Sequence, residues 1–209
     1  MIVTSGSDKI IYLWDKKNTK KPLKKLIGNA DMVRSVVFFN NDESILSGST
    51  KGEISIFDAK SGDLESQNLF LGEKDEHEGN IIYCVRSMKS EGNSTSFMTT
   101  HADCVARSWE YDPSSKDTKI MNEYIGHSDT VRYIGNYFFD EFIDFSPSEK
   151  RIVTACEDHS LRVWDTEEVK GQYLLSGHHD FAVAADFIDE TTLLSASWDQ
   201  TIKLWKLPS

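Results

Sequence analysis

The sequence predicts an all-β fold built from about five repeated units, as in a β-propeller. Apolar and polar residues alternate with a period of two along short runs that end at turn residues, which is typical of β-strands, and helical periodicity is hard to find. An aromatic residue closes the last run of each unit, at Trp14, Phe57, Trp109, Trp164 and Trp205. The spacing of roughly 40 to 55 residues is the period of propeller blades.

A second mark lies upstream of these aromatic residues. Gly126-His127 and Gly177-His178 precede the last two tryptophans, Gly28-Asn29 holds the same place in a weaker form, and His77 holds it without the glycine. With these marks in phase, the chain resembles the WD-repeat β-propeller family over essentially its whole length. The resemblance implies four strands per blade, labelled a to d from the axis outward. One sequence repeat then supplies strand d of one blade and strands a, b and c of the next.

That pattern predicts a single domain over residues 1–209, in which three blades are complete, the first lacks strand a and the last lacks strand d. The approximate blades are 1–27, 28–72, 77–126, 127–176 and 177–209. The predicted strands are 1–5, 10–14 and 23–27 in blade one; 33–39, 44–49, 53–57 and 65–71 in blade two; 81–88, 95–100, 105–109 and 119–125 in blade three; 131–134, 151–156, 161–164 and 172–176 in blade four; and 181–188, 192–197 and 201–205 in blade five.

The two ends of the pattern do not match. Ending after a c strand is usual for the family, whereas beginning inside a b strand is not. Closing five blades would take roughly 20 further residues upstream, and seven blades would take on the order of 100. Because open strand edges invite aggregation, we expect either an N-terminally shortened propeller, as an incomplete gene would give, or a propeller completed by another chain.

Composition narrows the class of partner. The 209 residues include 34 acidic and 23 basic side chains, for a net charge of −11 and a pI near 5.0. Nucleic-acid-binding domains are usually basic, so a protein or peptide partner is expected and nucleic acid is not. No secretory signal and no apolar run of about 18 residues is seen, so no membrane contact is expected. Cys84, Cys104 and Cys156 leave one cysteine unpaired in any disulfide scheme, which favours a reducing compartment, the cytoplasm or nucleus.

Hydroxyl, imidazole and carboxylate side chains recur ahead of three tryptophans. The sets are His77, Thr99, Asp103 and Trp109; His127, Thr154, Asp158 and Trp164; and His178, Ser195, Asp199 and Trp205. A hydrolase built on His127, Thr154 and Asp158 is one hypothesis, because a base and an orienting acid activate a nucleophile. Repetition favours a structural role instead, since an enzyme needs one such site. The resemblance implies structural tetrads in which Asp binds His, His binds the hydroxyl, and the hydroxyl meets the indole N–H, so no catalytic residue is predicted.

The tetrad is incomplete in the first two blades. Blade one has Thr4, Asp8 and Trp14, but its histidine position would precede the first residue. Blade two keeps Ser47 and substitutes the other positions with Asn29, Lys51 and Phe57. We therefore expect that the blade-two network does not form and that blade two is the least rigid complete blade.

Metal and cofactor sites are not predicted. Residues 156–159 and 178–180 contain ligand types, but alternate strand residues face opposite sides and no second ligand pair stands at zinc spacing. No glycine-rich phosphate loop leads from a strand into a helix. An apolar insert at 135–143 interrupts blade four on the a–b loop, where it either packs into the channel mouth or meets a partner.

One basic cluster stands out, formed by Lys16, Lys17, Lys20, Lys21, Lys24 and Lys25. The simplest interpretation is a solvated edge whose lysines discourage pairing between strands of different molecules. A contact with RNA or with an acidic partner is the alternative.

The resemblance implies that partners dock on the upper face, formed by the d–a and b–c loops. Two positions per repeat project there: the residue five after the histidine and the residue just before the tetrad aspartate. The first set is Arg34, Ile82, Arg132 and Val183, and the second is Ser7, Thr50, Ala102, Glu157 and Trp198.

Trp198 is the strongest candidate, because exposed Trp and Arg side chains dominate binding energy. Phe181 extends the apolar patch, and Arg34 and Arg132 suit a carboxylate or phosphate, unless Arg132 only pairs with Glu157 at the rim. The sequence thus predicts a non-enzymatic protein-interaction scaffold or adaptor. The alternative is an RNA-associated propeller subunit of a ribonucleoprotein or ribosome-related complex.

Overall fold

The computed structural model describes residues 1–69, 81–88, 95–136 and 151–208. The regular secondary structure in these ranges consists of β-strands. The strands form five antiparallel sheets, which confirms the predicted all-β class of propeller blades. Within the described ranges, no helix is long and apolar enough to cross a membrane.

The strands follow one another as meanders. The first sheet contains β1 (Ile2–Ser5), β2 (Ile11–Trp14) and β3 (Lys24–Leu26). The second contains β4 (Val33–Phe39), β5 (Ser44–Ser49), β6 (Glu53–Asp58) and β7 (Leu64–Leu69). The third contains β8 (Ile82–Ser87), β9 (Thr95–His101), β10 (Val105–Asp112) and β11 (Asp117–Ile125). The fourth contains β12 (Val131–Asn136), β13 (Arg151–Cys156), β14 (Ser160–Asp165) and β15 (Lys170–Ser176), and the fifth contains β16 (Ala182–Asp189), β17 (Thr192–Ser197) and β18 (Ile202–Lys206).

Three sheets have four strands in the order a-b-c-d, and the first and last have three. The missing strands are a in the first sheet and d in the last, as predicted. Some boundaries differ: β10 continues to Asp112 and β12 to Asn136, both past the predicted ends. Most of the predicted insert at 135–143 lies outside the described residues.

The chain divides into two compact units. The first comprises Met1–Asp103 and Arg107–Met121, and the second comprises Cys104–Ala106 and Asn122–Ser209. The single domain over 1–209 stays a prediction.

In the first unit the core lies between successive sheets. One cluster joins the first two sheets and includes Ile11, Leu13, Val33 and Phe57. A second cluster joins the second and third sheets and includes Phe39, Leu46, Ile56, Ile82, Val85, Phe97 and Trp109. Gly48 shows how closely the sheets approach, because a Cβ there would lie 2.5 Å from Ile82 Cγ2 and 2.9 Å from Val85 Cγ1. A larger residue at position 48 would force the sheets apart.

The second unit is built in the same way. Its core includes Val153, Leu161 and Val163 from the fourth sheet and Ala185 and Leu193 from the fifth. The inner strand β12 packs against β16. Burying apolar faces between neighbouring sheets explains why the apolar positions follow a period of two.

A turn of constant shape joins strands b and c in every blade. The residue after the tetrad-aspartate position has a left-handed backbone in all five, at Lys9, Gly52, Cys104, His159 and Gln200, with φ between 64° and 79°. The aspartates hold this turn: Asp158 Oδ1 accepts the Ser160 N–H over 3.0 Å, and Asp199 Oδ1 accepts the Thr201 N–H over 2.9 Å. Short polar side chains commonly support such turns.

Candidate partner-binding surface

The polar tetrad of blade four is joined by hydrogen bonds from end to end. His127 Nδ1 lies 2.8 Å from Asp158 Oδ2, and His127 Nε2 lies 2.7 Å from Thr154 Oγ1. The Trp164 indole N–H donates to the same Thr154 Oγ1 over 2.9 Å. Asp158 Oδ2 also accepts the backbone N–H of Ser128 over 3.2 Å. Since a carboxylate only accepts, Nδ1 carries a proton, and the Thr154 hydroxyl can donate to Nε2.

Blade five repeats this geometry. His178 Nδ1 lies 2.8 Å from Asp199 Oδ2, and His178 Nε2 lies 2.7 Å from Ser195 Oγ. Trp205 donates to Ser195 Oγ over 2.7 Å, and the backbone N–H of His179 donates to Asp199 Oδ2 over 3.0 Å. In both blades the network ties strand c to strand b and strand b to the d–a loop.

The electrostatics of the tetrads favour ionised aspartates. Burial raises the pKa of Asp158, but hydrogen bonds from His127 and Ser160 outweigh it and hold the pKa well below its usual range. Desolvation likewise raises the pKa of Asp199, but hydrogen bonds from Thr201 and from the backbone N–H of His179 outweigh it, so the pKa lies well below its usual range. Each carboxylate is therefore bound more strongly in its charged form.

Blade three departs from the pattern. Trp109 donates to Thr99 Oγ1 over 2.7 Å, but the imidazole 2.7 Å from that hydroxyl belongs to His101. Asp103 pairs with Arg107 over 2.6 Å, and both side chains are almost buried. The predicted His77 lies outside the described residues. Burial and the Arg107 charge hold the pKa of His101 well below its ordinary value, so a neutral imidazole occupies this core.

Blade two has a network of its own, contrary to the expectation that none would form. Ser47 Oγ donates to Asn29 Oδ1 over 3.2 Å. Glu53, two residues beyond Lys51, points its carboxylate inward, where Oε2 accepts the backbone N–H of Ala30 over 2.9 Å. Ala30 occupies the position in blade two that Ser128 occupies in blade four, directly after the histidine position. Glu53 therefore accepts the backbone N–H that the tetrad aspartate accepts in blade four. Lys51 lies in the b–c turn and Glu53 begins β6, so the family position alone did not indicate this replacement.

The tetrads contain the residue types of a catalytic triad, but their burial and hydrogen bonding differ from those of an active site. The His127 and His178 side chains are fully buried, and Thr154 is buried with them. Each hydroxyl already binds an imidazole and an indole, which leaves little room for a substrate. His127, Cys156 and Asp158 also bring three potential metal-ligand atoms within 4.8 Å of one another. Both imidazole nitrogens are engaged there, and burial raises the pKa of the Cys156 thiol, so this donor set suits hydrogen bonding better than a metal.

In the second unit, the structure brings together most of the predicted upper-face residues. The Trp198 side chain is exposed, at 57% relative accessibility, and its ring lies 5.1 Å from that of Phe181. The Arg132 guanidinium lies 6.0 Å from the Trp198 ring centre and forms an ion pair with Glu157. His159, in the left-handed turn, contacts Phe181 with a ring separation of 5.8 Å. These five residues are called the Trp198 surface below; sequence reasoning missed His159.

In the first unit, one predicted contact residue is wrong. Ile82 is fully buried and packs against Gly48, so it is not available to a partner. Strand a has a bulge in blades two to five, and the residue skipped in pairing is Arg34, Tyr83, Arg132 or Val183. In blade three the bulge residue lies six positions after His77, not five. The residue equivalent to Arg132 is therefore Tyr83 and not Ile82.

The second predicted position keeps its geometry across four blades. The backbone N–H of Thr50, Ala102, Glu157 or Trp198 donates to the carbonyl of the residue before strand a, at 3.0 to 3.1 Å. The backbone at this position and at the bulge is therefore equivalent in these four blades, and only the side chains differ. In blade two the exposed Arg34 guanidinium lies 5.1 Å from the Tyr83 ring centre.

The lysine cluster lies on the c–d loop and strand β3. Lys24 donates to the carbonyl of Lys60, and Lys25 lies 5.6 Å from the Tyr12 ring centre. Lys16, Lys17, Lys20 and Lys21 are exposed, and among the residues described here no ion pair joins any of these four to a carboxylate.

Comparison with known families agrees with this geometry. A family model described as WD domain, G-beta repeat matches residues 20–58, 118–165 and 170–206, more than half of the chain. The chain belongs to the WD-repeat family. Each matched segment spans one d-a-b-c repeat. The repeat that is not matched ends in blade three, where His101 and Arg107 alter the tetrad. WD-repeat proteins bind protein partners, and the predicted family is confirmed.

Several curated WD-repeat relatives are similar to parts of the chain. A ribosome biogenesis protein WDR12 homolog of Drosophila erecta is 26% identical over 127 residues, covering 53% of this chain and 28% of that protein. Protein tipD of Dictyostelium discoideum is 35% identical over 65 residues, covering 31% of this chain and 11% of that protein. An uncharacterized WD repeat-containing protein of Schizosaccharomyces pombe is 23% identical over 248 aligned positions, covering 99% of this chain and 62% of that protein. The chain thus spans less than two thirds of the length of these relatives.

Proposed function

We propose that this chain is a non-enzymatic scaffold that binds a partner protein or peptide through the Trp198 surface. One observation carries the proposal. Each of the other four tryptophans donates its indole N–H to a tetrad threonine or serine. Trp198 has no such role, and most of its side chain faces solvent. Core packing therefore does not explain a tryptophan at this turn.

The surroundings of Trp198 suit a binding anchor. Phe181 packs against one part of the indole, and the Arg132–Glu157 pair lies beside it. An aromatic side chain held by neighbours loses little conformational entropy when a partner covers it. Tryptophan and arginine anchors surrounded by polar groups are the usual composition of a binding hot spot.

Trp198→Ala tests the proposal. It is expected to weaken partner binding by about 2 kcal/mol or more, with little change in melting temperature. Proteins captured from a lysate by the wild-type chain would be identified, and their affinities measured with purified components. Ile202→Ala is the matched control, because Ile202 is also highly exposed but lies on strand β18 outside the Trp198 surface. Unchanged binding by Trp198→Ala, or a large loss of stability, would contradict the proposal.

A second candidate function is a subunit of a ribonucleoprotein or ribosome-related complex. The similarity to ribosome biogenesis proteins supports it, as do the exposed lysines of the basic cluster. Lysine contacts to RNA phosphates weaken steeply with salt. Titrating the purified chain with mixed-sequence RNA at several salt concentrations tests this candidate, and salt-independent or absent binding would count against direct RNA contact. Under either candidate we infer a cytoplasmic or nuclear location.

A further inference from the structure

We propose that Arg34 is a carboxylate-binding residue on the upper face of blade two and that the partner brings an acidic peptide segment to it. This inference deepens the proposed scaffold function, because it names the chemistry of a second contact. It rests on a comparison of Arg34 with Arg132, which occupy the same bulge position in blades two and four.

The two arginines differ in what binds them. Arg132 forms an ion pair with Glu157, the residue just before the tetrad aspartate. The residue at that position in blade two is Thr50, which has no charge. Among the described residues Arg34 has no carboxylate partner, and its guanidinium lies over the ring of Tyr83. Blade four thus supplies its own carboxylate, whereas blade two does not.

The backbone shows that this difference comes from side chains alone. The Thr50 N–H donates to Met32 O over 3.0 Å, and the Glu157 N–H donates to Thr130 O over 3.0 Å. Arg34 follows Met32 by two residues, and Arg132 follows Thr130 by two. A carboxylate carried at position 50 would therefore meet Arg34 as Glu157 meets Arg132.

Charges near Arg34 favour an anion. Lys51 stands at the tetrad-aspartate position, so blade two has a cation where blades four and five have carboxylates, and it is exposed. The charges of Lys9, at 3.6 Å, and of Lys51 both act on the nearby Asp31 carboxylate, so two cations offset this one acid. A guanidinium stacked on an aromatic ring keeps its edge N–H groups free for bidentate binding of a carboxylate. Although the chain is acidic overall, distant charges are largely screened at physiological salt.

The experiment measures binding of a fluorescent ten-residue glutamate-rich peptide to the purified chain at physiological salt, with a glutamine-rich peptide of equal length as the neutral control. Arg34→Gln is expected to weaken binding at least about tenfold, the usual effect of losing a charged hydrogen bond. Arg151→Gln is the matched control and is expected to change binding less than about threefold, because Arg151 also lies over an aromatic ring, 5.9 Å from the Tyr173 ring centre, but at the start of strand b and outside the Trp198 surface.

Thr50→Glu is the sharper variant, because it supplies the missing internal carboxylate without touching Arg34. It is expected to weaken peptide binding as much as Arg34→Gln does, whereas the uncharged Thr50→Gln retains binding. Circular dichroism melts check that all four variants fold.

Three outcomes would overturn the assignment: no binding of the acidic peptide, equal losses for Arg34→Gln and Arg151→Gln, or tighter binding of a phosphoserine peptide than of the glutamate peptide. Loss of partner capture by Trp198→Ala is a separate measurement, so failure here leaves the proposed scaffold function standing.

Discussion

Blades two and four use different side chains to join their central strands to the d–a loop. Blade four joins its strands through His127, Thr154, Asp158 and Trp164, with three hydrogen bonds of 2.7 to 2.9 Å. Blade two has a phenylalanine in place of the tryptophan and a lysine in place of the aspartate, yet its strands β5 and β6 are almost entirely buried.

The comparison shows which parts of the tetrad can be replaced. The Phe57 side chain has no N–H, so Ser47 needs to satisfy one donor fewer. Glu53 binds the Ala30 N–H over 2.9 Å, whereas Asp158 binds the Ser128 N–H over 3.2 Å. The requirement is therefore a carboxylate that accepts the N–H at the start of the d–a loop. It can come from the b–c turn, as Asp158 does, or from the first residue of strand c, as Glu53 does.

The largest expected effect is in blade four. Thr154→Val removes the hydroxyl that joins His127 to Trp164 and leaves a buried imidazole nitrogen and a buried indole N–H without a partner. The free energy of unfolding should fall by about 2–4 kcal/mol, measured by urea denaturation.

Ser47→Ala in blade two is the matched substitution, and a loss of only about 1 kcal/mol is expected, because the Ser47 hydroxyl has only longer contacts, 3.2 Å to Asn29 Oδ1 and 3.4 Å to the Ser55 carbonyl oxygen. Equal losses in the two blades would show that the complete tetrad adds no stability over its substitute. Hydrolytic activity that disappears with Thr154→Val would instead support the catalytic interpretation.

A smaller effect is expected at Glu53. Glu53→Ala removes the acceptor for the Ala30 N–H and for the Ser49 hydroxyl, so unfolding should become easier by about 1–2 kcal/mol.

The rescue variant Lys51→Asp, combined with Glu53→Ala, returns the carboxylate to its family position and should recover part of that loss. No recovery would mean that the shifted carboxylate depends on the length of the glutamate side chain.

The smallest effect is in the pH dependence of blade four. The pKa of Asp158 is lower in the folded chain than its ordinary value of 3.8. Its contribution to stability is therefore complete above about pH 5 and is lost as the pH falls below 4, since the unfolded chain then binds the proton more readily.

Asp158→Asn should be less stable than the wild type at pH 7 and should lose less stability between pH 5 and pH 3. Parallel stability curves for the two proteins, measured by denaturant titration at each pH, would contradict this assignment.

Much of the architecture follows from the sequence, because alternating burial fixes which residues face the core. Strands β4, β5, β13 and β17 begin and end at the predicted residues. The histidines and aspartates of blades four and five lie at the hydrogen-bonding distances that the family resemblance implies.

Other features depend on three-dimensional detail that spacing does not carry. Ile82 was misplaced because the bulge begins one residue later relative to His77 than it does in the other blades. His101 was missed because a residue on strand b, two positions after Thr99, provides an imidazole that the family pattern assigns to the d–a loop. Within the part of the chain that the structure describes, Arg34 has no carboxylate partner, and the backbone equivalence of Thr50 and Glu157 was needed to recognise this.

The left-handed turn between strands b and c has a consequence for variation. Its backbone is nearly the same whether the residue is lysine, glycine, cysteine, histidine or glutamine. Side chains there can therefore be exchanged at little cost to folding, while each exchange alters the chemistry offered at the rim of one blade. Such positions suit the grafting of new recognition groups, since the scaffold beneath them need not change.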